Sequence, residues 1–500
     1  MSVEEQQRRS RRSPRGHWAV TFAVLAIAVS AFTLLQSMVV PVLGLIAVEM
    51  DTDMSTATWV LTAYLLSASI CTPLLGRVGD VVGKQKMLVV TMAALAIGSL
   101  VAALATDIWV LILARVLQGA GGGVLPLSFG IIRDEFPERS RTTALSVIAA
   151  LGSVGFAVGI VVAGPIVDGL GYAWLFWLPM GVTALAAVAT AFFVPSSPVA
   201  ERTRLPLLPA VLLAGWLVAL LLGISRGNEW GWASLPVLGL LVAAGLLAVG
   251  WVVVENRARV PMIDMRMMRQ RGVWTSNVVG GFVGFGMFSS FGFLPQFLQT
   301  PSSAGYGFGA TIAESGHILL PSAIASFVIG FATAPLVKRL GARVVVVAGT
   351  LMTAVAFGSI AVWHDQVWQI VAATTLQGLG NGLVFGSLAG VVIASVPASQ
   401  TGVASGMNAN IRSIGGSVGS AVMAGVVTAH VGVGGLPAEG GYVIGFALIA
   451  VAMVLAALVA CAIPGAGGPT GRAPRRVASP RRTVAPTMRR VLAPGSSVGV

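Results

Sequence analysis

The chain has 500 residues and a mass of 51.2 kDa, with 56% hydrophobic residues and only 10% charged residues. In soluble domains about a quarter of all residues are charged, so this composition excludes an ordinary soluble enzyme. The apolar content also excludes an intrinsically disordered chain. A mean hydropathy of +0.88 is typical of a membrane protein with many spans, each of which needs about 20 apolar residues.

Apolar segments long enough to cross a bilayer occur along the whole chain. They are continuously apolar and do not alternate every second residue, which predicts helices rather than a barrel. The segment that follows the N-terminal arginines is too long for a cleaved signal peptide, so we expect an uncleaved anchor. We therefore predict an all-α integral membrane protein with fourteen spans. The predicted spans are residues 18–46, 55–76, 87–106, 108–132, 143–167, 172–194, 207–225, 234–254, 273–298, 314–337, 343–363, 366–396, 402–429 and 441–463.

The basic residues predict which loops face the cytoplasm. With fourteen spans and a cytoplasmic N-terminus, 28 of the 31 Lys and Arg residues fall in cytoplasmic segments. Arg226 then lies in an outer loop, and Arg115 and Arg412 lie within spans. This bias follows the positive-inside rule, so both termini are predicted to be cytoplasmic. It also explains the net charge of +13 without a nucleic-acid partner.

An internal repeat relates the two ends of the chain. Residues 117–123 (LQGAGGG) recur as residues 376–382 (LQGLGNG), and Gly159 recurs as Gly419. Such repeats are common in secondary transporters, whose substrate site lies at the repeat interface. The predicted organisation is a basic cytoplasmic arm (1–16), a six-helix half (17–194), an inserted helix pair (207–255), a second six-helix half (273–463) and a disordered basic tail (464–500).

The loop after the second span reads GRVGDVVGKQK over residues 76–86. Glycines let two helices close on a short turn, and a carboxylate there can cap a helix or pair with a base. The loop resembles the G-x-L-x-D-R-x-G-R-K motif of the major facilitator superfamily, and more closely of its fourteen-helix drug:proton antiporter branch. The resemblance covers roughly residues 17–463. It implies a gating role for Gly76, Asp80, Gly83 and Lys84, with Val81 in the place of the usual Arg.

The fourth span contains an arginine in the stretch ARVLQGAG, residues 114–121. A charge inside a span costs about 2.5–3.5 kcal/mol on insertion scales, so Arg115 normally faces a cavity or a partner. Its repeat equivalent is Thr374, so the fold does not demand the charge. The stretch is similar to the family motif R-x-x-Q-G-x-G, which implies that Arg115 acts in proton coupling and Gln118 lines the substrate cavity. Pairing of Arg115 with backbone carbonyls is the structural alternative.

The fifth span contains Gly159, Gly164 and Pro165, and then Asp168. Small residues allow helices to cross closely, and proline permits a bend. The stretch is similar to the antiporter motif G-x-x-x-G-P-x-x-G-G, with one extra residue in the first spacing and Asp168 in place of a Gly. In the family this segment is associated with export. The resemblance therefore implies export and a gating role for Gly159, Gly164 and Pro165.

The thirteenth span carries Asn408 and Arg412 in a stretch, residues 401–416, that resembles the late span of the same branch. Arg412 lies about 15 Å of helix rise into the span. Its repeat equivalent is Gly152, so Arg412 is a second charge that the two halves do not share. We predict Asn408 in the substrate cavity and Arg412 in proton coupling.

The first span departs from the family at Gln36, where an acidic residue linked to proton coupling is common. Gln36 cannot ionise, which weakens the inference of proton exchange there and of a preference for lipophilic cations. Glu314 and His317 are the alternative, because their i,i+3 spacing puts them on one helix face. A desolvated Glu beside a His titrates near neutral pH. Asp168 is a further coupling candidate, and an interfacial helix start is the alternative role of Glu314.

The ninth span is rich in Phe and Met, which suits a roomy pocket for apolar ligands. Packing against lipid is the alternative, because its phenylalanines cover more than one helix face. The predicted cavity residues are Gln36, Gln118, Asn277, Phe285, Asn381 and Asn408.

These features predict a monomeric exporter of amphipathic or hydrophobic compounds such as drugs or antibiotics. It exchanges them for protons by alternating access in a bacterial plasma membrane, and its partners are the substrate, protons and lipids. The sequence lacks a Walker loop and metal-ligand spacing, so we expect no cofactor and no metal. One alternative is a lipid or metabolite exporter with weak or no proton coupling. The other is a non-transporting sensor or scaffold, but no inner loop is long enough to fold, and no polar cluster indicates an enzyme.

Overall fold

Each predicted apolar run forms a helical span in the computed structural model, which describes residues 17–52, 54–196, 207–258, 261, 263–397, 400–430 and 437–464. Within these ranges, fourteen helical stretches are long and apolar enough to cross a membrane. The all-α architecture and the number of spans are thus confirmed. The predicted N-terminal arm, the loop arginines Arg202 and Arg204, and the tail from residue 465 onward lie outside the described residues.

Spans 1 and 4 are interrupted, and the other spans are single helices. Span 1 comprises the helix His17–Ser37, a 3-10 turn Val40–Val42 that contains Pro41, and the short helix Leu43–Glu49. Span 4 comprises Ile108–Gln118, a 3-10 segment Gly119–Gly123 and Val124–Glu135. The others are span 2 Met54–Val82, span 3 Lys84–Ala103, span 5 Glu138–Leu170, span 6 Trp174–Phe193, span 7 Leu207–Trp230, span 8 Leu235–Arg257, span 9 Arg271–Gln299, span 10 Ile312–Leu340, span 11 Ala342–Val362, span 12 Val367–Ala394, span 13 Thr401–Ala429 and span 14 Glu439–Ala460. A four-residue helix, Met265–Met268, precedes span 9, and a 3-10 turn, Ser302–Ala304, follows it.

Glycines with positive φ make the tight turns between consecutive spans. Gly83 has φ 114° between spans 2 and 3, and Gly341 has φ 83° between spans 10 and 11. These φ values are unfavourable for residues with a side chain. Both glycines follow the second span of a predicted half, so the repeat extends to the backbone conformation of this turn.

A largely apolar core fills the bundle, and a second apolar cluster attaches span 7 to it. Leu213 and Leu217 of span 7 are fully buried in this second cluster, together with Val403 and Met407 of span 13. Span 7 contacts span 8, span 2 and span 13. The helix pair formed by spans 7 and 8 therefore packs on the side where spans 2 and 13 meet.

The remaining contacts create an interface between early and late spans. Span 2 contacts span 13, while span 5 contacts spans 10 and 12. One end of the bundle, called the "basic end", carries Lys84, Arg133 and Arg343, and the sequence predicts it to be cytoplasmic. The "opposite end" carries Arg226 and His364.

Candidate functional site

A cavity of about 1200 Å³, its opening to solvent included, lies between spans 1, 2, 4 and 5 on one side and spans 9, 12 and 13 on the other. Its aromatic and methionine lining is Phe32, Tyr64, Phe129, Phe156, Met287, Phe288 and Phe385. Its polar lining is Thr33, Gln36, Thr72, Ser405, Asn408, Arg412 and Ser413. A mostly apolar wall with a few polar groups is the usual construction of a small-molecule site.

Arg412 supplies the charge in this cavity. Its guanidinium carbon lies 5.1 Å from the ring centroid of Phe385, which gives a cation–π contact. On the same face of span 13, Asn408 Nδ2 donates to the carbonyl oxygen of Ser276 at 3.1 Å and to Oδ1 of Asn277 at 3.0 Å. Asn408 therefore fixes span 13 to span 9, and Arg412 lies one helical turn further along.

Glycines bring spans 9 and 13 into backbone contact beside Arg412. A Cβ on Gly284 would lie 2.0 Å from the carbonyl oxygen of Arg412, and a Cβ on Gly415 would lie 2.0 Å from that of Gly281. No larger residue fits at this crossing. The close approach fixes which face of each helix borders the cavity.

Arg115 lies behind the cavity wall rather than in it. Its side chain is fully buried, its Nε donates to the carbonyl oxygen of Val60 at 3.1 Å, and its Nη1 donates to Oε1 of Gln118 at 2.7 Å. Gln118 Nε2 donates in turn to Ser99 Oγ at 3.1 Å. The guanidinium carbon lies 4.4 Å from the ring centroid of Tyr64, which lines the cavity. Arg115 thus borders the cavity through Tyr64, and one of its partners is a backbone carbonyl.

The predicted cavity residues divide into two groups. Gln36 and Asn408 line the cavity. Asn277 is bonded to Asn408 from behind, and Phe285 and Asn381, like Gln118, are not among the lining residues. A role of these four residues in substrate binding stays a prediction, and at the crossing of spans 9 and 13 it is Phe288 rather than Phe285 that borders the cavity.

Several lining residues were not predicted from the sequence. Tyr64, Phe385 and Phe156 stand in apolar runs where nothing distinguishes them from packing residues. Phe156 stacks on Phe291 with the ring centroids 4.6 Å apart and contacts Phe288 edge-on. Only the packing of spans 5 and 9 against each other shows that these rings close one side of the cavity.

Glu314 and His317 lie apart from the cavity, near the start of span 10. Both side chains are exposed. Glu314 forms a capping box in which its carboxylate accepts from the backbone N–H of Thr311 at 2.8 Å and its own N–H donates to Thr311 Oγ1 at 3.1 Å. The desolvation that a titration near neutral pH requires is therefore absent in this structure. Asp168, at the end of span 5, is exposed as well.

The loop motif between spans 2 and 3 forms a buried ion network at the basic end. Lys84 Nζ lies 2.7 Å from Asp134 Oδ2 of span 4 and 3.4 Å from Asp80 Oδ1. All three side chains are largely buried. The network ties the turn at Gly83 to the end of span 4.

Span 2 reaches span 13 through a second part of the same motif. A Cβ on Gly76 would lie 2.8 Å from the carbonyl oxygen of Gly402, and a Cβ on Gly402 would lie 3.1 Å from Asp80 Oδ2. Asp80 thus faces the N-terminal turn of span 13, where a negative charge is favourable.

Arg133 joins the early and late spans at the same end. Its Nη1 donates to the carbonyl oxygen of Ile393 at 2.8 Å and to Thr401 Oγ1 at 2.5 Å. Its Nη2 donates to the carbonyl oxygen of Val396 at 2.7 Å. This side chain from span 4 therefore caps the end of span 12 and binds the start of span 13. No sequence motif identified it.

Span 5 packs against an early span and a late span through its glycines, toward the opposite end. Gly159 packs on span 1, where a Cβ would lie 2.0 Å from Ser37 Oγ. Gly164 packs on span 10, where a Cβ would lie 3.3 Å from the Cα of Ala313. Pro165 lies within the helix at this contact. The antiporter-like stretch is thus the surface on which span 5 meets both sets of spans.

Span 7 adds contacts at the opposite end. Asn228 Nδ2 donates to the carbonyl oxygen of Ala421 in span 13 at 2.9 Å, and Asn228 Oδ1 accepts from Trp232 Nε1 at 2.8 Å. Arg226 lies 4.3 Å from the ring centroid of Trp59 in span 2 and pairs with Glu229. The end of span 7 therefore bridges spans 2 and 13.

Comparison with known proteins gives the family. Residues 25–419 and 276–496 match the family model described as Major Facilitator Superfamily. The chain is 30% identical over 464 residues to the cephamycin export protein CmcT of Amycolatopsis lactamdurans. The matched region covers 89% of this chain and 92% of that protein. It is 28% identical to the multidrug transporter protein MdtP of Bacillus subtilis, with 76% of this chain and 70% of that protein covered. It is 27% identical to the tetracenomycin C resistance and export protein of Streptomyces glaucescens, with 82% of this chain and 76% of that protein covered.

A solved structure shares the fold. The human organic anion transporter MFSD10 (TETRAN) superposes with a TM-score of 0.64 at 18% sequence identity, over 90% of this chain and 100% of that chain. At this identity the likeness concerns the fold alone. The family model, which matches most of the sequence, identifies the chain as a member of the Major Facilitator Superfamily.

Proposed function

We propose that this protein is a secondary transporter of a bacterial plasma membrane that exports small amphipathic or hydrophobic compounds. The observation that supports this proposal most directly is the cavity between the early and late spans, whose wall is aromatic and apolar with a few polar groups. The names of the relatives, which include a multidrug transporter and two export proteins, support the same direction of transport. The cavity is built from a single chain, which supports a monomer as the working unit.

The contacts at the two ends of the cavity support transport by alternating access. At the basic end, Arg133 and the Gly76–Gly402 contact join early spans to late spans. At the opposite end, Gly164 meets Ala313. Opening the cavity to one side requires that the contacts of that side break while those of the other side hold. Two sets of contacts on either side of one cavity provide this arrangement.

Proton exchange is the proposed energy source, and Arg115 is the main candidate for the residue that couples protons to export. A fully buried guanidinium that the repeat does not reproduce, and that contacts the cavity wall through Tyr64, supports a functional role. A second candidate function is uncoupled export. It is favoured by the lining of the cavity, which contains Gln36 and, among the described residues, no carboxylate.

Proton movement and substrate movement in everted membrane vesicles test both candidates. Vesicles that contain the protein are acidified, and release of protons is recorded on addition of a cationic drug (ethidium), a neutral drug (chloramphenicol) and anionic aromatic compounds, alongside accumulation of each compound. Vesicles without the protein are the control. Accumulation with proton release supports antiport, and accumulation without it supports the uncoupled candidate. If no compound accumulates although the protein is inserted, the export proposal is wrong.

Arg115→Ala and Thr374→Ala form a matched pair for this experiment. Thr374 is the repeat equivalent of Arg115, and its hydroxyl donates only within its own helix, to the carbonyl oxygens of Ile370 and Val371. Loss of both proton release and accumulation in the first variant, with both retained in the second, would make Arg115 essential for the coupled transport.

A further inference from the structure

The ionised lining of the substrate cavity is positive and is not balanced by a negative side chain among the described residues. Arg412 is the ionised side chain among the described residues that line it, and no Asp or Glu is among them. A guanidinium stays protonated in proteins. The cavity thus carries a positive charge in a wall that is otherwise neutral.

The positive charge of Arg412 has no counter-ion within the described part of the chain. The ion pairs there join Lys84 to its two aspartates, Arg226 to Glu229 and His364 to Glu439. The contact given for Arg412 is the face of Phe385. A ring face offsets part of the charge, but it offers no hydrogen-bond acceptor to the N–H groups of the planar, forked guanidinium.

Two further donors of the same wall lack partners. The hydroxyl of Tyr64 and that of Ser405 are buried, belong to residues that line the cavity, and have no hydrogen bond. A hydroxyl can donate to an anionic oxygen, and such bonds are stronger than bonds between neutral groups. The cavity therefore combines one unpaired fork of N–H donors with two unpaired hydroxyls, surrounded by aromatic rings.

From this arrangement we infer that the cavity selects aromatic anions, and in particular a carboxylate attached to a flat apolar ring system, over cations of the same size. The inference rests on the proposed export function and names its substrate class. The carboxylate binds the Arg412 guanidinium, whose planar fork matches the two oxygens, while the rings pack against Phe385 and Phe156. A cation in the same place would face Arg412 without any neutralising group.

Three anthracene derivatives form a panel with one ring system and a substituent of different charge on carbon 9. They are 9-anthracenecarboxylate, 9-anthracenemethanol and 9-anthracenemethylammonium. Binding to the purified full-length protein is measured by their fluorescence, and transport is measured in vesicles that contain the protein. We expect the carboxylate to bind at least about tenfold more tightly than the ammonium compound. Hydrogen bonds to charged groups are strong enough to change a dissociation constant by that factor.

Variants of Arg412 show whether this residue creates the preference. Arg412→Gln should bring the carboxylate to within about twofold of the alcohol, whereas Arg412→Lys should retain the preference for the anion. Arg139→Gln removes the same charge from an exposed position at the start of span 5 and should leave the preference unchanged. Size-exclusion profiles and thermal unfolding show that each variant is folded.

The outcomes separate this inference from the proposed function. If the ammonium compound binds as tightly as the carboxylate, or if Arg412→Gln retains the preference, the inference is wrong. Transport of the alcohol alone overturns the anion preference but leaves export intact. Preferential binding of the carboxylate without transport of any of the three compounds supports the anion site and contradicts the exporter.

Discussion

Arg133 of span 4 and Thr401 of span 13 are joined by a hydrogen bond of 2.5 Å from Nη1 to Oγ1. The same guanidinium donates to the carbonyl oxygens of Ile393 and Val396. The basic end of the cavity is therefore closed by a side chain of one set of spans that binds the helix ends of the other set.

We predict that Arg133→Gln opens the basic end. Loss of charge-assisted bonds, each worth about 1.5–3 kcal/mol, should raise the population of the open form about tenfold or more. Spin labels at Glu138→Cys and Lys338→Cys, in a chain whose Cys71 and Cys461 are replaced by serine, should report longer distances in the variant.

Arg139→Gln is the control for this experiment, because Arg139 is exposed on the same end of the bundle. It should leave the distance distribution unchanged. Identical distributions in the Arg133 variant and the parent protein would mean that Arg133 does not hold this end closed.

Lys84→Ala should destabilise the protein strongly. Lys84 neutralises Asp80 and Asp134 in a largely buried network, and removing one partner of a buried ion pair costs about 3–5 kcal/mol. Thermal unfolding in detergent, followed by tryptophan fluorescence, measures the effect. Lys86→Ala removes the same charge at an exposed position and should unfold like the parent. Equal unfolding temperatures for the two variants would show that the network contributes nothing to stability.

Arg115→Ala should abolish export while the protein remains inserted. The substitution leaves the carbonyl of Val60 and the amide oxygen of Gln118 without their donor, which costs about 1–3 kcal/mol per buried group. Flux is compared at matched amounts of inserted protein, with Thr374→Ala as the control. Near-normal flux in the Arg115 variant would make Arg115 a packing residue.

The sequence predicted the spans well, because continuous apolar runs leave little choice of structure within a membrane. Span 2 shows where this reasoning stops. Its apolar run was predicted to end at residue 76, but the helix continues to Val82. It continues because Asp80 is accommodated by Lys84 and by the start of span 13. Hydropathy counts such charges against a helix and cannot detect their partners.

The candidate site was predicted less completely. The cost of a charge in a span drew attention to Arg115 and Arg412, yet only Arg412 lines the cavity. The phenylalanines of span 9 cover more than one face, and the glycine crossing with span 13 decides that Phe288 borders the cavity while Phe285 does not. The spacing of Glu314 and His317 gives a shared face but contains no information about exposure.

Glu314→Gln tests the role that the structure gives to Glu314. Glutamine can also accept the N–H of Thr311 and complete a capping box. We therefore expect unchanged stability and an unchanged pH dependence of transport. Glu314→Ala should lose the cap and unfold at a lower temperature than the parent protein. A flattened pH profile in the Gln variant would restore the carboxylate to the coupling mechanism.

The most direct test of the account is to block the cavity. Gly152 lines it, and the atoms nearest to a Cβ there belong to Leu125 and Thr33, at 3.9–4.0 Å, so a larger side chain has room to extend into the cavity. Gly245→Phe is the matched control, because Gly245 lies on an exposed face of span 8 with open space beside it. Accumulation of a transported compound in everted vesicles should be lost in Gly152→Phe and unchanged in Gly245→Phe. Undiminished accumulation in a folded, inserted Gly152→Phe variant would contradict transport through this cavity.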